Sequence, residues 1–409
     1  MQRRTFLKST IVVAATPLLA QRELHAVAAQ GLSGSLKLWH GWTGAEADTL
    51  NKEVLPAWTA AQPNVKVEAL AVPFDQLKNK YSTEAATGGG PDLLIGPLDW
   101  VGELATGELI APLDELATAD ILKPYVPSTV DALKFDGKLY GMPESFECVA
   151  LYYNKSMMPT PVANTKDLLT AAGAAPADTY AMALYSDFYH PVGFLFGFGA
   201  KLFDADYNCT LNSPETVAFL NWIKQFGNTP GLFQQNDDGA ISSLFKEGKA
   251  ASVVNGPWAV GDYKGTLGDN LAVAPLPKIS EAGDATPAPF LGVKHIMMNA
   301  NTTGDQAKLA FAFMQFFTGA DSGGMLAKSA GHLPANTGVD VSSDPIAQGF
   351  LAQAASVTPT PTVPEMGQVW EPAGAMITSV ISGDAASDKA AADAQDKINN
   401  AIEQMRAGA

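Results

Sequence analysis

Between residues 35 and 95 the sequence alternates strand patterns with helix patterns, and this order restricts the possible folds more than any other feature. Ser35–Trp39 and Val65–Ala71 have the alternating pattern of strands, and Leu93-Leu94-Ile95 is a third apolar run. The intervals between them, including Gln76–Thr87, have helical spacing. This β-α-β-α-β order predicts a parallel sheet with helices on both faces. A ligand would bind beyond the carboxyl ends of the strands, where Asp99-Trp100 follows the third strand.

Further strands and helices are predicted along the chain. Strand patterns occupy five later segments: Lys138–Pro143, Ala150–Asn154, Leu271–Pro277, Phe290–Val293 and Ile296–Asn299. Ser213-Pro214 is typical of a helix start, because Ser accepts hydrogen bonds from the first free N–H groups and Pro needs none. The alanine-rich tail from Asp384 to Arg406 has its apolar residues at helical spacing and predicts a closing helix.

Composition limits the class of protein. The 409 residues are 47% hydrophobic and 9% aromatic, as in ordinary globular proteins, and their number favours two domains. The formal charge is −16, and such an acidic chain is a poor partner for nucleic acid or an anionic membrane. The five histidines are scattered and the sequence contains no HExxH or CxxC motif. We therefore expect no metal and no cofactor.

The first 29 residues have the pattern of a secretory signal peptide. A basic start with Arg3-Arg4 precedes the apolar run Ile11–Ala20, and small residues follow at 26–29. The paired arginines, followed by Phe6-Leu7, are typical of a twin-arginine signal. No cysteine lies near the cleavage region, so we expect no membrane anchor and a periplasmic or other extracytoplasmic location. Loss of this segment removes four basic residues and one acidic residue, which changes the formal charge to −19.

A second informative stretch runs from Gly248 to Tyr263. Ala251–Val254 has the pattern of a short buried strand, and Asn255-Gly256-Pro257 has the composition of a turn. Trp258 follows the turn directly. A large aromatic side chain held at the end of a strand by a rigid turn is well placed to face a crevice, although a core position is the alternative.

Six segments together resemble one family. They are Leu38 to Glu46, Gly90 to Trp100, Gly137 to Lys155, Asn255 to Tyr263, Pro289 to Gly292, and Val363 to Trp370. In this order they resemble the family 1 extracellular solute-binding proteins, the maltose-binding-protein group that serves ATP-driven (ABC) sugar importers. Gly331-His332-Leu333-Pro334 and Pro364-Glu365-Met366-Gly367 are most similar to the trehalose/maltose-binding branch.

The resemblance implies an α/β fold of two lobes, the type II periplasmic-binding-protein fold, with a mainly parallel sheet flanked by helices in each lobe. The N-terminal lobe would comprise residues 30–147 and 291–344, and the C-terminal lobe residues 148–290 and 345–409. It also places Cys148 on a strand beside the hinge and Cys209 on a surface loop, and leaves open whether the two cysteines pair. A hinge motion would close the lobes on the ligand.

The resemblance implies eight ligand-binding residues and no catalytic residue. They are Trp42, Glu46, Asp99, Glu147, Asp187, Tyr189, Trp258 and Trp370. The aromatic rings would stack on the C–H faces of a sugar, and the carboxylates would accept hydrogen bonds from its hydroxyl groups. Each of them also has a structural interpretation: Glu46 as a first-turn acid, Asp99 as a helix N-cap and Trp42 as a core residue, with the roles of Glu147, Tyr189 and Asp187 likewise open. Gly96 stands where maltose binders have a large aromatic residue, which favours a disaccharide or smaller ligand.

The predicted function is the sugar-binding subunit of an importer, with membrane permease subunits as partners and a monomeric state. An alternative keeps the fold and changes the ligand to a polyol, a glycerophosphate or an amine; a phosphate would require Arg or Lys in the cleft, and no matched cleft position is basic. A third hypothesis is an exported enzyme, since Asp99 and Glu147 could in principle hydrolyse a glycoside. No nucleophile motif supports it.

Overall fold

A computed structural model of the protein describes residues 33–408, so the predicted signal peptide lies outside the described residues. Within residues 33–408 the strands are β1 (Gly34–His40), β2 (Val65–Ala71), β3 (Leu93–Pro97), β4 (Lys134–Phe135), β5 (Lys138–Leu139), β6 (Met142–Glu147), β7 (Ala150–Asn154), β8 (Met182–Tyr185), β9 (Leu232–Gln235), β10 (Ser252–Asn255), β11 (Leu271–Ala274), β12 (Phe290–Met298), β13 (Leu333–Pro334) and β14 (Thr358–Pro359).

The α-helices in the same residues are α1 (Gly44–Thr49), α2 (Leu55–Ala61), α3 (Phe74–Ala86), α4 (Trp100–Thr106), α5 (Ala119–Leu122), α6 (Pro127–Ala132), α7 (Thr165–Gly173), α8 (Val192–Gly197), α9 (Pro214–Asn228), α10 (Asp238–Lys246), α11 (Val260–Leu267), α12 (Gly304–Phe317), α13 (Ala320–Ala330), α14 (Pro345–Gln353), α15 (Trp370–Ser382) and α16 (Ser387–Gly408). A π-helical turn, Leu50–Val54, joins α1 to α2. None of the helices in this described part combines the length and the hydropathy that a bilayer crossing requires.

The larger sheet has the strand order β13-β6-β12-β3-β1-β2, and β14 pairs with the start of β12. β1 runs parallel to β2 and β3, as the β-α-β-α-β order predicts. β12 lies between β3 and β6 and runs antiparallel to both. The sheet is therefore mixed rather than mainly parallel. β12 comes from a distant part of the chain and joins β3 to β6, and as an antiparallel strand it needs no crossover helix.

β12 is one strand, although the sequence patterns predicted two short ones. It continues through Gly292 and through Lys294-His295, the residues left between the two predicted segments. Its pairing with β6 shifts at Lys294/His295, where a β-bulge lies. The strand predicted at Lys138–Pro143 is divided: β5 covers Lys138–Leu139, and β6 begins at Met142 and continues through Glu144 to Glu147. The extra residues of β6 and β12 bring Lys294 and Glu147 into neighbouring strands.

The smaller sheet has the order β11-β7-β10-β8-β9. β10 runs antiparallel to β7 and parallel to β8, so this sheet is mixed as well. β10 confirms the strand predicted before Asn255-Gly256-Pro257, and a 3₁₀ turn, Pro257–Ala259, leads from it into α11. Trp258 is thus held at the carboxyl end of β10 by the short rigid turn that the sequence predicted.

The hydrophobic core is divided in the same way as the sheets. One core contains buried side chains numbered 36–142 and 293–335. Two further clusters contain those numbered 149–290 and 346–402, together with Leu333. We call the larger sheet with the first core the first lobe, and the smaller sheet with the other two clusters the second lobe. The chain passes between them at β6–β7, within β12 and after β13.

Two local predictions in the second lobe are confirmed. Ser213 caps α9 by accepting a hydrogen bond from the Thr216 N–H, and the tail forms α16 with Ile398 and Ile402 buried. The two cysteines are free, which answers the question that the sequence left open. Cys209 is buried rather than placed on a surface loop, because its backbone is held against α16 by the Asn399 side chain.

Candidate functional site

The carboxyl end of β1 leads into α1 through a turn that ends at Gly44, whose φ of 49° suits glycine. Glu46 lies in the first turn of α1, as its interpretation as a first-turn acid requires. Its carboxylate is also buried, and its Oε1 atom lies 2.5 Å from Lys294 Nζ and 2.8 Å from His332 Nε2. Glu46 therefore belongs to a buried charge cluster as well as to a helix terminus.

The buried charge cluster comprises three acids and two bases: Glu46, Glu144, Glu147, Lys294 and His332. His332 Nδ1 lies 2.9 Å from Glu144 Oε1, and Lys294 Nζ lies 3.5 Å from Glu147 Oε2. Burial opposes protonation of His332, but Glu144 and the hydrogen bonds to Glu144 and Glu46 outweigh it and raise its pKa to about 9. Burial also acts to raise the pKa of Glu46, yet Lys294 and His332 lower it to about 2.

Glu147 is the member of this cluster with unused acceptor capacity. Among the described residues its carboxylate accepts no hydrogen bond, and its ion-pair partner is Lys294. Burial raises its pKa, and Lys294 offsets this only in part. Nearby, the buried Tyr189 hydroxyl group has no hydrogen-bond partner among residues 33–408. Burial, followed by the charge of Glu147, raises the pKa of Tyr189. These two groups can bind a polar ligand.

Asp99 and Trp370 join the two lobes. Trp370 Nε1 donates a hydrogen bond of 3.0 Å to Asp99 Oδ2. Asp99 occupies the N-cap position of α4, but its side chain makes no capping hydrogen bond, so its carboxylate faces the seam between the lobes instead. Burial raises the pKa of Asp99 to about 6, although Lys78 and the bond from Trp370 act against it.

Aromatic rings line the second-lobe side of the seam. The Tyr189 ring centroid lies 6.0 Å from that of Trp258, 6.2 Å from that of Trp370 and 6.4 Å from that of Phe290. Lys294 Nζ lies 6.0 Å from the Trp258 ring centroid, so the aromatic group borders the charge cluster. Flat rings beside carboxylates form a surface suited to a sugar, whose C–H faces stack while its hydroxyl groups donate.

Trp42 and Asp187 differ from the other predicted residues. Trp42 is only 5% exposed and packs against Phe317 and His332 in the first core, so the alternative interpretation as a core residue fits its position. Asp187 Oδ1 accepts a hydrogen bond of 2.9 Å from the backbone N–H of His190, and it also lies 3.0 Å from His190 Nδ1. Its carboxylate is therefore used locally, whereas Glu46, Glu147 and Asp99 lie along the seam.

The space beside Gly96 is filled. A Cβ atom at this position would lie 2.6 Å from Trp100 Cε3 and 2.9 Å from Met297 Cε. The Trp100 ring therefore takes the place that a side chain would need. The absence of an aromatic residue at position 96 does not by itself leave an open subsite, and the expectation of a smaller ligand loses its main support.

Sequence reasoning missed Lys294, His332, Glu144 and Phe290. None of the eight matched positions is basic, but Lys294, which is not among them, lies between two of the predicted carboxylates. A signal was available in Val293-Lys294-His295-Ile296, because a lysine inside an otherwise apolar strand pattern requires buried partners of opposite charge. Within the described residues no group of three or more His, Cys, Asp or Glu side chains is arranged to hold a metal ion.

Comparisons with known proteins agree with this geometry. The sequence profile of the family described as "Bacterial extracellular solute-binding protein" matches residues 53–355. A maltotriose-binding protein of Pyrococcus abyssi is 30% identical over 349 residues, which are 83% of this chain and 75% of that protein. A maltodextrin-binding protein of Bacillus subtilis is 27% identical over 351 residues, 81% of this chain and 82% of that protein.

Solved structures show the same architecture. The maltotriose-binding protein of Thermus thermophilus, bound with maltotriose, superposes with a TM-score of 0.83 at 30% identity; the match covers 90% of this chain and 100% of that chain. The predicted two-lobe, type II periplasmic-binding-protein fold is confirmed by this match. Together with the profile match over most of its length, it shows that the chain belongs to the bacterial extracellular solute-binding protein family.

Proposed function

We propose that the chain is the substrate-binding subunit of an ABC-type sugar importer. It captures a disaccharide or small oligosaccharide of the trehalose/maltose class between its two lobes and delivers it to membrane permease subunits. The lobes correspond to residues 30–147 with 291–344 and residues 148–290 with 345–409, and they close by a hinge motion. Two relatives are named as maltotriose-binding and maltodextrin-binding proteins, which supports a ligand of the maltose class.

One observation carries the proposal: polar groups with unused hydrogen-bonding capacity and aromatic rings meet at the seam between the two lobes. The Glu147 carboxylate accepts no hydrogen bond among the described residues, and the Tyr189 hydroxyl group is buried without a partner there. Trp258 and Trp370 flank Tyr189. Such groups cost free energy unless a ligand satisfies them, and a sugar supplies both hydroxyl donors and apolar ring faces. We propose ligand-binding roles for all eight predicted residues; Trp42, which packs on His332, and Asp187, which is bonded to His190, would act less directly than the other six.

Lys294 argues against the alternative ligands. Its charge is matched by Glu46 at 2.5 Å and Glu147 at 3.5 Å, so it is not free to bind a phosphate group. It also fills the position between two carboxylates that the ammonium group of an amine ligand would take. A neutral polyhydroxyl ligand needs neither charge, and a polyol shares this chemistry but lacks the rigid ring face that stacks on Trp258.

The binding-protein relatives and the use of the carboxylates favour a protein without catalytic activity. Of the two carboxylates in the enzyme hypothesis, Asp99 accepts a hydrogen bond from Trp370 and Glu147 is paired with Lys294, so neither is a free acid or base. We further propose export by the twin-arginine-type signal to the periplasm or cell exterior, no membrane anchor, and a monomeric state. Hinge closure of one chain completes the site without a second copy.

A thermal-shift screen tests the proposal, since a ligand that binds only the folded form raises its unfolding midpoint. The panel contains trehalose, maltose, sucrose, maltotriose, glucose, glycerol 3-phosphate and putrescine. We expect shifts with the α-linked glucose sugars that disappear in Trp258→Ala and persist in Trp222→Phe, a tryptophan buried in the second core. A shift with the phosphate or the amine alone would contradict the sugar assignment, and turnover of a glycoside would restore the enzyme hypothesis.

A further inference from the structure

Phe74 is a large apolar side chain that is mostly exposed. It is 58% exposed, more than Leu70, Leu169, Tyr207 or Leu351, the other exposed large hydrophobic residues of the described chain. It is the first residue of α3, and two residues, Val72 and Pro73, separate it from the end of β2. Single exposed apolar residues are common on protein surfaces. The meaning of Phe74 therefore depends on how it is held and where it lies.

The Phe74 ring is held from one side. Its centroid lies 5.5 Å from that of Trp100 with 31° between the ring planes. A Cβ atom at Gly41 would lie 3.0 Å from Phe74 Cδ2, so the ring also packs closely on the backbone just before Trp42. Because Trp100 and Gly41 fix one side, the other side remains open as a flat and rigid surface.

This surface borders the seam between the lobes. Gly41, Phe74 and Trp100 follow β1, β2 and β3, so they lie at the common carboxyl edge of three parallel strands, where ligands of such sheets bind. Lys78 is four residues beyond Phe74 on the same face of α3, and its Nζ lies 2.6 Å from Glu103 Oε2. A Cβ atom at Gly367 of the second lobe would lie 2.6 Å from the same oxygen. The second lobe thus reaches this side of α3.

We propose that Phe74, supported by Trp100, is a stacking surface for an additional sugar residue of an oligosaccharide at the mouth of the cleft. The inference rests on the proposed function and extends it to the length of the ligand. The position of Phe74 indicates the occupant. Trp100 adjoins Asp99, which is bonded to Trp370. An oligosaccharide that extends from the central rings toward the first lobe would therefore contact Phe74 next. The protein then prefers three or more sugar residues, and Phe74 provides the aromatic surface that Gly96 does not.

Calorimetric titration of the mature protein with maltose, maltotriose and maltotetraose tests the inference. In Phe74→Ala we expect the affinity for the two longer sugars to fall about 3- to 10-fold, the range for loss of one aromatic contact, with maltose binding unchanged. Phe74→Tyr keeps the flat ring and should keep the preference for longer sugars. Phe74→Leu keeps apolar bulk without the ring and should lose it. Leu351→Ala, at an exposed site on α14 of the second lobe, is the matched control.

The outcomes separate the two proposals. If the unmodified protein binds sugars but Phe74→Ala weakens all three equally, or none, the stacking surface is wrong and the proposed function stands. The same holds if Phe74→Leu behaves like Phe74→Tyr, because apolar bulk would then be sufficient. If the unmodified protein binds none of the three sugars and responds only to glycerol 3-phosphate or putrescine, both proposals are wrong. If it responds only to trehalose or sucrose, the stacking surface is wrong and the proposed function stands.

Discussion

Asp262 of the second lobe caps a helix of the first lobe. Its Oδ1 atom accepts a hydrogen bond of 3.2 Å from the backbone N–H of Ala45, in the first turn of α1. Thr43, the N-cap residue in the chain, makes no side-chain hydrogen bond to the helix. The helix terminus that carries Glu46 is therefore stabilised by a residue that can reach it only when the lobes are together.

Replacing Asp262 with Ala should favour separation of the lobes and weaken ligand binding. An N-cap interaction contributes about 1 kcal/mol, so we expect the affinity for the preferred sugar to fall roughly 5-fold in calorimetric titration. Small-angle scattering of the unliganded variant should show a larger radius of gyration. The control is Asp269→Ala, which removes another exposed acid just beyond α11. Equal affinities in the two variants would mean that Asp262 does not hold the lobes together.

Replacing Trp370 with Phe should raise the pKa of Asp99 above about 6. The indole N–H stabilises the ionised carboxylate, and Phe removes this donor while keeping an aromatic ring. Since the folded-state pKa of Asp99 is above its ordinary value of 3.8, ionisation disfavours the folded state, and the stability contribution of Asp99 decreases as the pH rises from about 4 to about 6. In Trp370→Phe this decrease should extend to higher pH. Carboxyl NMR titration of Asp99 measures the pKa directly, and an unchanged value would contradict the expectation.

Replacing His332 with Gln should flatten the pH dependence of stability on the alkaline side. The pKa of His332 is raised from 6.5 to about 9, so its contribution is fully present below about pH 6.5 and is lost as the pH rises through about 9. Up to about 3 kcal/mol of unfolding free energy depends on this proton, given about 1.4 kcal/mol per pKa unit. Urea unfolding at pH 6, 7, 8 and 9 should show a decrease in the natural protein and little decrease in His332→Gln. Parallel slopes would mean that another group titrates.

Replacing Lys294 with Met should destabilise the fold strongly, because Glu46 and Glu147 would remain buried with like charges. Breaking a buried ion pair by removing one partner costs about 3–5 kcal/mol. The double variant Lys294→Met, Glu46→Gln should recover part of the loss. Lys308→Met, which removes a highly exposed ion pair with Asp305, should cost less than about 1 kcal/mol. Denaturant unfolding measures all three, and similar values for Lys294→Met and Lys308→Met would contradict the buried network.

Much of the fold could be predicted because local patterns determine it. The alternation from residue 35 to residue 95 gave the parallel strands of the first lobe, and Asn255-Gly256-Pro257 placed Trp258 correctly after β10. The antiparallel position of β12 could not be inferred in this way, because it depends on pairing between residues about 200 positions apart. Strand pairing of that kind leaves no local pattern.

The same limit explains the missed charge cluster. Glu46, Glu147 and Asp99 were found through the family resemblance, each on its own segment. Their partners could be found only in three dimensions, since Lys294 lies 248 positions from Glu46 and His332 lies 286. Dividing β12 at Lys294-His295 also treated the two polar residues as a gap between strands. In a sequence, one member of a buried ion pair interrupts an apolar run in the same way as a loop residue does, because its partner is distant in the chain.

The central position of β12 affects the order in which the protein can be built. β3 and β6 belong to the early part of the chain, yet their shared neighbour consists of residues 290–298. Until the ribosome has made those residues, β3 has an apolar edge with unpaired N–H and C=O groups, and such edges join other chains. The larger sheet, whose first strands are made early, is thus completed only when β12 has been made. We therefore expect the newly made chain to be more prone to aggregation before β12 emerges than after it.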